Sequence, residues 1–385
     1  MRVLGIWVDP KLQWKEHVQQ AVRKGNAQLT ALSRIAASTW GPAVVKTRLL
    51  YTAVVRPTIL YGVQTWGMAS GSGTPAERAL KPLDDVQNKS LRIVLGAYKR
   101  THRALLATEA EVEPTATYAE TVALEHALKT ESDDVTRHIS RTLDDVWNAS
   151  GAQAQRRLIG PRPPSAMEKA ITRARTVRER GEEIQRTRAA QEGARRTAAR
   201  ARGQGRGRSL GPRQGSHRHK WKPVSQIRTA LDEEWRLRWI EKRAAARTAV
   251  AWRNPWGSQP LRLYRGLRKA EATALFLMRT EVIGLKDWLT RVGVPNVIPR
   301  CDCGYPAQTV RHVLLQCPLH NREDMLREAR TQELDELLSQ EKSARAAARW
   351  FVRSGILEQF RVANQIAGDN RSEYQALRLL GEGRQ

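Results

Sequence analysis

The segment "CDCGYPAQTVRHVLLQC", residues 301–317, contains every cysteine of the chain and one histidine. The four candidate ligands follow the pattern Cys301-x-Cys303-x8-His312-x4-Cys317. Thiolate sulfur and imidazole nitrogen are the atoms that zinc takes in tetrahedral Cys3His sites, and a closed set of four leaves no position for substrate. The pattern therefore predicts structural zinc, although one residue between the first two cysteines is a tighter spacing than is common.

A second interpretation treats the three cysteines as small buried hydrophobes, because free cysteine is among the most buried residue types. Their clustering in a chain otherwise free of cysteine favours the zinc site. His320 is a possible substitute ligand, but it follows Pro318 and is separated from the predicted helix. We therefore expect His312 to be the fourth ligand.

Two local elements must position these ligands. "CDCG" can form a tight turn that points both thiolates inward, with Gly304 at a positive φ. "TVRHVLLQC" is typical of the first turns of a helix, which would carry His312 and Cys317 five residues apart and end near Pro318.

The periodicity of the remaining chain is mostly helical. "VLGIWVD" predicts one short strand, and apolar residues at helical spacing follow Pro10. A further helix begins near Pro42 and is expected to stop before Pro57, where the ring crowds the preceding turn. Another is expected to end at Gly96. We predict a mainly α fold: an N-terminal helical region, a disordered basic linker, and a helical C-terminal region with the small predicted zinc site.

The linker prediction covers residues 151–222, between an N-terminal region of 1–150 and a C-terminal region of 223–385. Its part "TAARARGQGRGRSLGPRQGSHRHKWK" is rich in arginine and glycine and has few large apolar residues, which is typical of disorder. A charged helix from Ser165 to Arg202 is expected to precede that part. The linker would act either as a solvated spacer or as a phosphate-binding arm.

The 385 residues include 66 lysines and arginines against 39 acids, for a formal net charge of +27. That charge attracts polyanions, so nucleic acid is the first expected partner and an anionic membrane surface the weaker one. The sequence contains no run of 18 apolar residues, so it predicts no membrane span. Its first residues also lack the pattern of a secretory signal. We expect an intracellular protein in a reducing compartment, where clustered cysteines bind metal.

Two separated sets of motifs resemble one family. They are "LGIWVDPKLQWKEHV" and "LLYTAVVRPTILYGVQTWG" near the start, and "RTEVIGLKDWL" followed by "CDCG", Thr309, His312 and Cys317-Pro318 near the end. This order resembles the C-terminal part of non-LTR (LINE-type) retrotransposon reverse transcriptase polyproteins, over residues 1–130 and 222–385. The resemblance implies that residues 1–150 are the end of the palm, the thumb and connection-like helices, and that residues 301–317 are the terminal zinc knuckle.

Polymerisation in that family requires paired aspartates on a hairpin, which would lie upstream of the strand that begins this chain. The pairs Asp84-Asp85, Asp133-Asp134 and Asp144-Asp145 fall in helical patterns instead. Acids after the knuckle, namely Asp324, Glu328 and Glu333, fit a solvated helix face better than an endonuclease site, and residues 160–222 lack the aspartates of a ribonuclease H. We therefore predict no catalytic residues.

The resulting prediction is a catalytically inactive remnant that binds RNA or DNA in the nucleus, with its oligomeric state left open. The alternatives are a fragment of an active polymerase or C-terminal endonuclease, and an open reading frame without a selected role. A thumb tracks the phosphates of a duplex, so the predicted contacts are basic residues of the thumb-like region and of the linker. They are Lys46, Arg48, Lys89, Arg92, Lys99, Arg100, Arg103, Arg206, Arg208 and Arg213.

Overall fold

The computed structural model describes residues 1–67, 75–149, 162–201, 222–244, 249–254 and 256–365. The predicted mainly α fold is confirmed in these ranges. The α-helices are α1 Lys15–Ile35, α2 Val44–Leu50, α3 Arg56–Ile59, α4 Val63–Trp66, α5 Pro75–Leu95, α6 Arg103–Glu109, α7 Thr115–Thr130, α8 Asp134–Ala149, α9 Ala166–Ala201, α10 Lys222–Ala244, α11 Val250–Arg253, α12 Lys269–Thr280, α13 Lys286–Arg291, α14 Glu323–Ala329, α15 Leu334–Ser339 and α16 Glu341–Arg353. Shorter π and 3-10 turns lie at Tyr51–Val55, Pro260–Tyr264, His312–Gln316 and Glu358–Phe360.

The N-terminal strand is a minimal hairpin and not the single strand that the sequence predicts. Arg2–Val3 (β1) pairs antiparallel with Ile6–Trp7 (β2). The two turn residues, Leu4 and Gly5, both have positive φ, of 47° and 87°. Those signs fit the primed turns that match the twist of two-residue hairpins.

The chain continues through Pro57 as a helix, so the predicted stop is wrong. A π turn at Tyr51–Val55 precedes the proline, and the N–H of Arg56 donates to the carbonyl oxygen of Tyr51, five residues back. An α-helix would bring the proline ring against the carbonyl one turn earlier. The wider turn accommodates Pro57 within Arg56–Ile59.

The contacts divide the chain into two units that alternate along the sequence, whereas the sequence predicts three consecutive regions. The first unit comprises Met1–Gln19, Leu60–Lys81 and Pro114–Arg238. The second comprises Gln20–Ile59, Pro82–Glu113 and Trp239–Gln385.

In the first unit, α9 occupies half of the predicted linker and packs against α7. Ala170, Ala174 and Val177 lie on one side of α9 and are buried with Leu124, Ala127, Leu128, Ile227, Ala230 and Leu231 of α7 and α10. The predicted linker contains few large apolar residues. Ala170, Ala174 and Val177 nevertheless lie on one face, at positions i, i+4 and i+7, and pack against the neighbouring helices. The arginine- and glycine-rich residues 202–221 lie outside the described ranges.

Ionic pairs and one glycine complete the packing of α9. A Cβ added at Gly181 would lie 1.9 Å from the carbonyl oxygen of Gln226, so the two backbones approach each other as only glycine permits. Acids of the neighbouring helices pair with arginines of α9: Glu120 with Arg173, Glu131 with Arg175, Glu234 with Arg180 and Glu233 with Arg188. The basic helix is thus partly neutralised by its neighbours.

In the second unit, every residue of α12 is buried, and α16 packs beside it. The α5 helix ends at Leu95, and Gly96 adopts a φ of 69°, which confirms the predicted stop. Gly96 also admits a close neighbour, because a Cβ there would meet Thr273 Oγ1 at 2.2 Å. The metal segment, residues 301–317, lies in this unit.

Candidate metal centre

The four predicted ligands converge. The ligand atoms of Cys301, Cys303, His312 and Cys317 all lie within 4.8 Å of one another. The Sγ atoms of Cys301 and Cys317 are 3.8 Å apart, and Cys303 Sγ is 3.2 Å from His312 Nε2. With zinc–sulfur bonds of about 2.3 Å, two sulfurs of a regular tetrahedron lie about 3.8 Å apart. This cluster could therefore hold one metal ion.

A turn at Cys301–Gly304 supplies the first two ligands. The N–H of Gly304 donates to Cys301 O, and the N–H of Cys301 donates to Tyr305 O, both at 2.9 Å. Gly304 has a φ of 90°, as predicted. Because a left-handed residue reverses the chain here, both sulfurs point to the same side.

A π turn explains the spacing of the other two ligands. Positions five apart on an α-helix, with 3.6 residues per turn, differ by about 140° around the axis, which would separate His312 from Cys317. The segment His312–Gln316 is instead a π turn, closed by a 2.8 Å hydrogen bond from Cys317 N to His312 O. Thr309 Oγ1 accepts from His312 N at 3.1 Å and caps the start of this turn. Such local widening is often found at functional sites.

Protonation of the ligands reflects their surroundings. Burial raises the pKa of the Cys317 thiol to about 11, whereas the backbone N–H of Tyr305 lowers the pKa of Cys303. Burial also lowers the pKa of His312, which keeps the imidazole neutral near pH 7. A neutral imidazole is ready to bind a cation, and a metal would deprotonate the buried thiol.

Cations and one aromatic ring surround the cluster. The ring of Tyr305 stacks on His312 with centroids 4.2 Å apart and planes 7° apart, and its side chain is exposed. Arg300 Nε donates to Gly304 O at 3.2 Å. Arg322 donates to the carbonyl of Cys317, and Lys286 pairs with Asp302. The ligand segment thus presents an aromatic face among basic side chains.

His320 does not join the four ligand atoms in the described residues. Its ring makes an edge contact with Trp350, with centroids 6.3 Å apart. His312, and not His320, therefore belongs to the cluster that could hold a metal ion.

The predicted nucleic-acid contacts divide into three groups. Lys46, Lys89, Lys99 and Arg100 are exposed on the second unit. Arg206, Arg208 and Arg213 lie outside the described residues. Arg48, Arg92 and Arg103 form the third group and have partners within the protein. For the first two groups, contact with phosphates stays a prediction.

These internal partners differ in strength. Arg48 donates from Nε and Nη2 to the carbonyls of Ala110 and Glu111, both at 2.6 Å, at the end of α6. Arg92 donates to the carbonyls of Asn88, Lys99 and Thr101 and so holds the loop after α5. Arg103 pairs on the surface with Asp84 and Asp85, at 3.1 and 2.7 Å. The first two arginines therefore act in the fold, whereas an exposed pair can be exchanged for a phosphate.

The three Asp-Asp pairs lie in or at the start of helices, as predicted. Asp84 and Asp85 are on α5, Asp144 and Asp145 are on α8, and Asp134 begins α8. The acids after the knuckle, Asp324, Glu328 and Glu333, are exposed at α14 and before α15.

Sequence reasoning missed a buried ionic network in the second unit. Arg279 Nε and Nη2 donate to the two carboxylate oxygens of Glu109 at 3.0 and 2.7 Å, and both side chains are 0% exposed. Tyr264 donates to the same carboxylate, and Arg279 also donates to the carbonyl of Leu338. A lone arginine within the apolar helix "ATALFLMRT" is the signal, because a buried guanidinium requires an acid.

In the ranges that the structure describes, no helix is both long and apolar enough to cross a membrane. Comparisons of the chain with models of protein families, with curated proteins and with solved structures found no match.

Proposed function

We propose that this protein is a catalytically inactive remnant of a non-LTR retrotransposon reverse transcriptase that binds RNA or DNA in the nucleus. Binding would use its basic surface and a zinc knuckle at residues 301–317. The observation that carries the proposal is the convergence of Cys301, Cys303, His312 and Cys317 to within 4.8 Å. The motif order described above supports the family.

Zinc is the metal that this set favours. Three thiolates and one imidazole are soft to borderline ligands, which select zinc over magnesium or calcium. The sulfur separation of 3.8 Å matches a tetrahedral zinc ion. Four protein ligands fill the coordination sphere, so the ion would organise the segment and would not activate a water molecule.

The surface around the cluster suits single-stranded nucleic acid. Tyr305 stacks on His312 and is 45% exposed, so an unpaired base could stack on its ring. Arg300 and Arg311 flank the cluster and are exposed, so their charges are available to phosphates. Stacking tolerates every base, so we expect little sequence specificity.

Phosphate attraction elsewhere on the second unit would add to this affinity. Lys89, Lys99 and Arg100 lie on α5 and the loop that follows it, and Lys46 lies on α2. Each phosphate contact on a single strand contributes about −0.7 to the slope of log K against log salt. The proposal therefore requires binding that weakens steeply with salt.

Fluorescence anisotropy with single-stranded RNA and DNA tests the proposal at about 50 and 200 mM salt. We expect Tyr305→Ala to weaken binding about tenfold, since one stacked base contributes ~1–3 kcal/mol. Tyr305→Phe keeps the stacking surface and is the matched control. Replacing Lys99 and Arg100 by glutamine should reduce the salt slope by about 1.4.

Two results would contradict the proposal. One is no binding at the lower salt concentration. The other is divalent-metal-dependent nuclease or primer-extension activity in the pure protein, because that would indicate a carboxylate cluster and the alternative function of an active enzyme.

A further inference from the structure

The α16 helix of the second unit leaves one narrow face uncovered, and that face is basic. Of the 13 residues of this helix, eight are buried. Apart from Glu341 at its start, the uncovered residues are Lys342, Arg345, Arg349 and Arg353. At about 100° per residue, these four cations fall within one sector of about 80° around the helix axis. We call this line of cations the α16 stripe.

The buried side of α16 fixes the direction in which the stripe points. The helix packs against α12, α14 and α15 and against the 3-10 turn Pro260–Tyr264. Trp350 Nε1 also donates to the carbonyl oxygen of Asn321 at 2.7 Å. Because the helix is held on several sides, the stripe is carried by a rigid element and its cations keep a fixed spacing along the axis.

Most of these cations are not balanced by acids. Within the part of the chain that the structure describes, Arg345 is the one stripe residue in an ion pair, which it forms with Glu341. Arg353 Nε donates to the main-chain carbonyl of Arg349 at 3.2 Å. The α9 helix of the first unit differs, because acids of its neighbours pair with several of its arginines. The charge of the stripe is therefore available to a partner outside the protein.

The stripe does not serve the stability of its own helix. Arg345, Arg349 and Arg353 follow one another at intervals of four residues, where like charges repel. Lys342 lies in the first turn, where the helix dipole disfavours a cation. Only Arg353, in the last turn, is favoured by the dipole. Folding of the helix thus does not explain the stripe, whereas an anionic partner does.

A second basic segment adjoins the stripe at Arg345. A Cβ added at Gly266 would lie 4.0 Å from the guanidinium carbon of Arg345, so the loop that follows Pro260–Tyr264 reaches the stripe. Arg265 lies in this loop and is exposed. The basic surface therefore extends beyond a single helix.

We propose that the α16 stripe binds the phosphate backbone of double-stranded nucleic acid. This inference rests on the proposed nucleic-acid function and adds a separate site for duplexes to the metal segment, which suits single strands. From Lys342 to Arg353 the stripe is about 16 Å long. A duplex of that length carries about ten phosphate charges in a stiff array, which a straight line of cations can follow.

The composition of the uncovered face favours a duplex over a single strand. Proteins that bind single strands stack the unpaired bases on exposed aromatic rings. Trp350 and Phe351 are the aromatic residues of α16, and both are buried. The stripe thus offers contacts to phosphates and no surface for bases.

The same composition disfavours an anionic membrane as the partner. A helix that lies on a membrane inserts its apolar face between the lipids and keeps its cations beside the headgroups. The apolar face of α16 is buried against the protein. Only electrostatic attraction would hold this face on a membrane, so we make vesicles an outcome of the test.

Fluorescence anisotropy of the full chain tests the inference at about 50 and 200 mM salt, with labelled blunt duplexes of DNA and of RNA and with the corresponding single strands. The test variant combines Lys342→Gln, Arg349→Gln and Arg353→Gln, because glutamine is a good helix former. We expect the slope of log K against log salt on the DNA duplex to fall by about 2.7, and the affinity at the lower salt to fall at least about tenfold. Stripe-dependent binding of either duplex supports the proposal, because both present phosphates.

The matched control combines Arg23→Gln, Lys24→Gln and Arg34→Gln on α1. These residues are exposed on the second unit, so the control removes the same number of charges from another helix. It should keep the duplex affinity of the unmodified chain, and the two triple variants should bind single strands equally well. Tyr305→Ala should show the reverse pattern, with weaker binding of single strands and unchanged binding of duplexes. Arg349→Lys with Arg353→Lys keeps the charge and should retain duplex binding.

Three results would overturn the inference and leave the proposed function standing, provided that single strands still bind through Tyr305. One is duplex binding by the stripe variant as tight as that of the control. Another is an equal loss on duplexes and on single strands. The third is stripe-dependent binding to vesicles of anionic lipid while duplex binding is unaffected. If the unmodified chain binds neither duplexes nor single strands, both the inference and the proposed function are wrong.

Discussion

Two regions of the second unit bury polar groups by different means. In the metal segment, Cys301 and Cys317 are buried beside His312, in a cluster that could hold a metal ion. In the ionic network, Arg279 and Glu109 are fully buried and balance each other through two hydrogen bonds. If the proposed metal binds, the first region depends on a ligand, whereas the second is complete within the chain.

That difference predicts different sensitivities. A ligand-dependent segment should lose its structure when the ion is removed, while the core around α12 persists. A self-contained network should ignore chelators and respond only to mutation of its members. Metal-dependent folding is consistent with a segment that is proposed to bind a partner. The buried network is consistent with a part of the unit that keeps its structure without a ligand.

Removal of the metal should have the largest effect. We expect Cys317→Ser, or a strong chelator, to unfold residues 298–317 locally, because structural zinc contributes on the order of 10 kcal/mol to small metal-dependent folds. Hydrogen exchange of the amides in this segment measures the loss. His320→Ala is the matched control and should keep protection, since His320 lies outside the ligand set.

Equal loss of protection throughout α12 would contradict the proposed independence of the two regions. Unchanged protection of residues 298–317 after chelation would show that the cysteines pack as small hydrophobes.

Breaking the ionic network should have the next largest effect. Arg279→Met leaves the carboxylate of Glu109 buried and uncompensated, so we expect the free energy of unfolding to fall by about 3–5 kcal/mol. Arg253→Met removes an exposed pair with Asp335 and should cost at most about 1 kcal/mol. Denaturant unfolding compares the two variants.

The outcome that would count against this account is a loss in Arg279→Met no greater than that in Arg253→Met. The metal content of both variants should equal that of the unmodified chain, which separates the network from the metal segment.

The metal segment and the ionic network also differ in how far the sequence could predict them. The ligand set is compact: Cys301 to Cys317 spans one turn and one short helix, so spacing and residue type were sufficient to identify it. Gly304 and Gly96 were predicted because a positive φ at a turn or at a helix end favours glycine. Ligand spacing and turn conformation depend on residues that are close together in the sequence, so the sequence can predict them.

Long-range features were not predictable in the same way. Glu109 and Arg279 are separated by 170 positions, and the sequence around either residue does not indicate its partner. The packing of α9 was missed because Ala170 and Ala174 bury little area each and gain their effect only against a neighbouring helix.

Lys269 is a third buried polar group. Its replacement should have the smallest effect on the free energy of unfolding, and that effect should change gradually with pH. Its ammonium donates to the carbonyls of Ile93 and Val94 at 2.8 and 2.6 Å, at the end of α5. Burial lowers the pKa of Lys269 to about 7, from an ordinary value of 10.5. The unfolded chain therefore binds more protons between these two pH values, and the contribution of Lys269 to stability rises with pH across that window.

The measurement is the difference in unfolding free energy between the unmodified chain and Lys269→Met at pH 7 and pH 9. We expect this difference to shift in favour of the unmodified chain by at most about 1.4 kcal/mol per pH unit. Carbonyl contacts favour the charged form and will reduce the shift. A difference that is constant with pH, or that moves in the opposite sense, would show that these carbonyls fully compensate the burial.

The most direct test of the central claim is the metal content of freshly purified, reduced protein. The account predicts one zinc per chain, which falls to near zero in Cys317→Ser and stays at one in His320→Ala. A zinc content well below one in the unmodified chain, or full zinc content in Cys317→Ser, would contradict it.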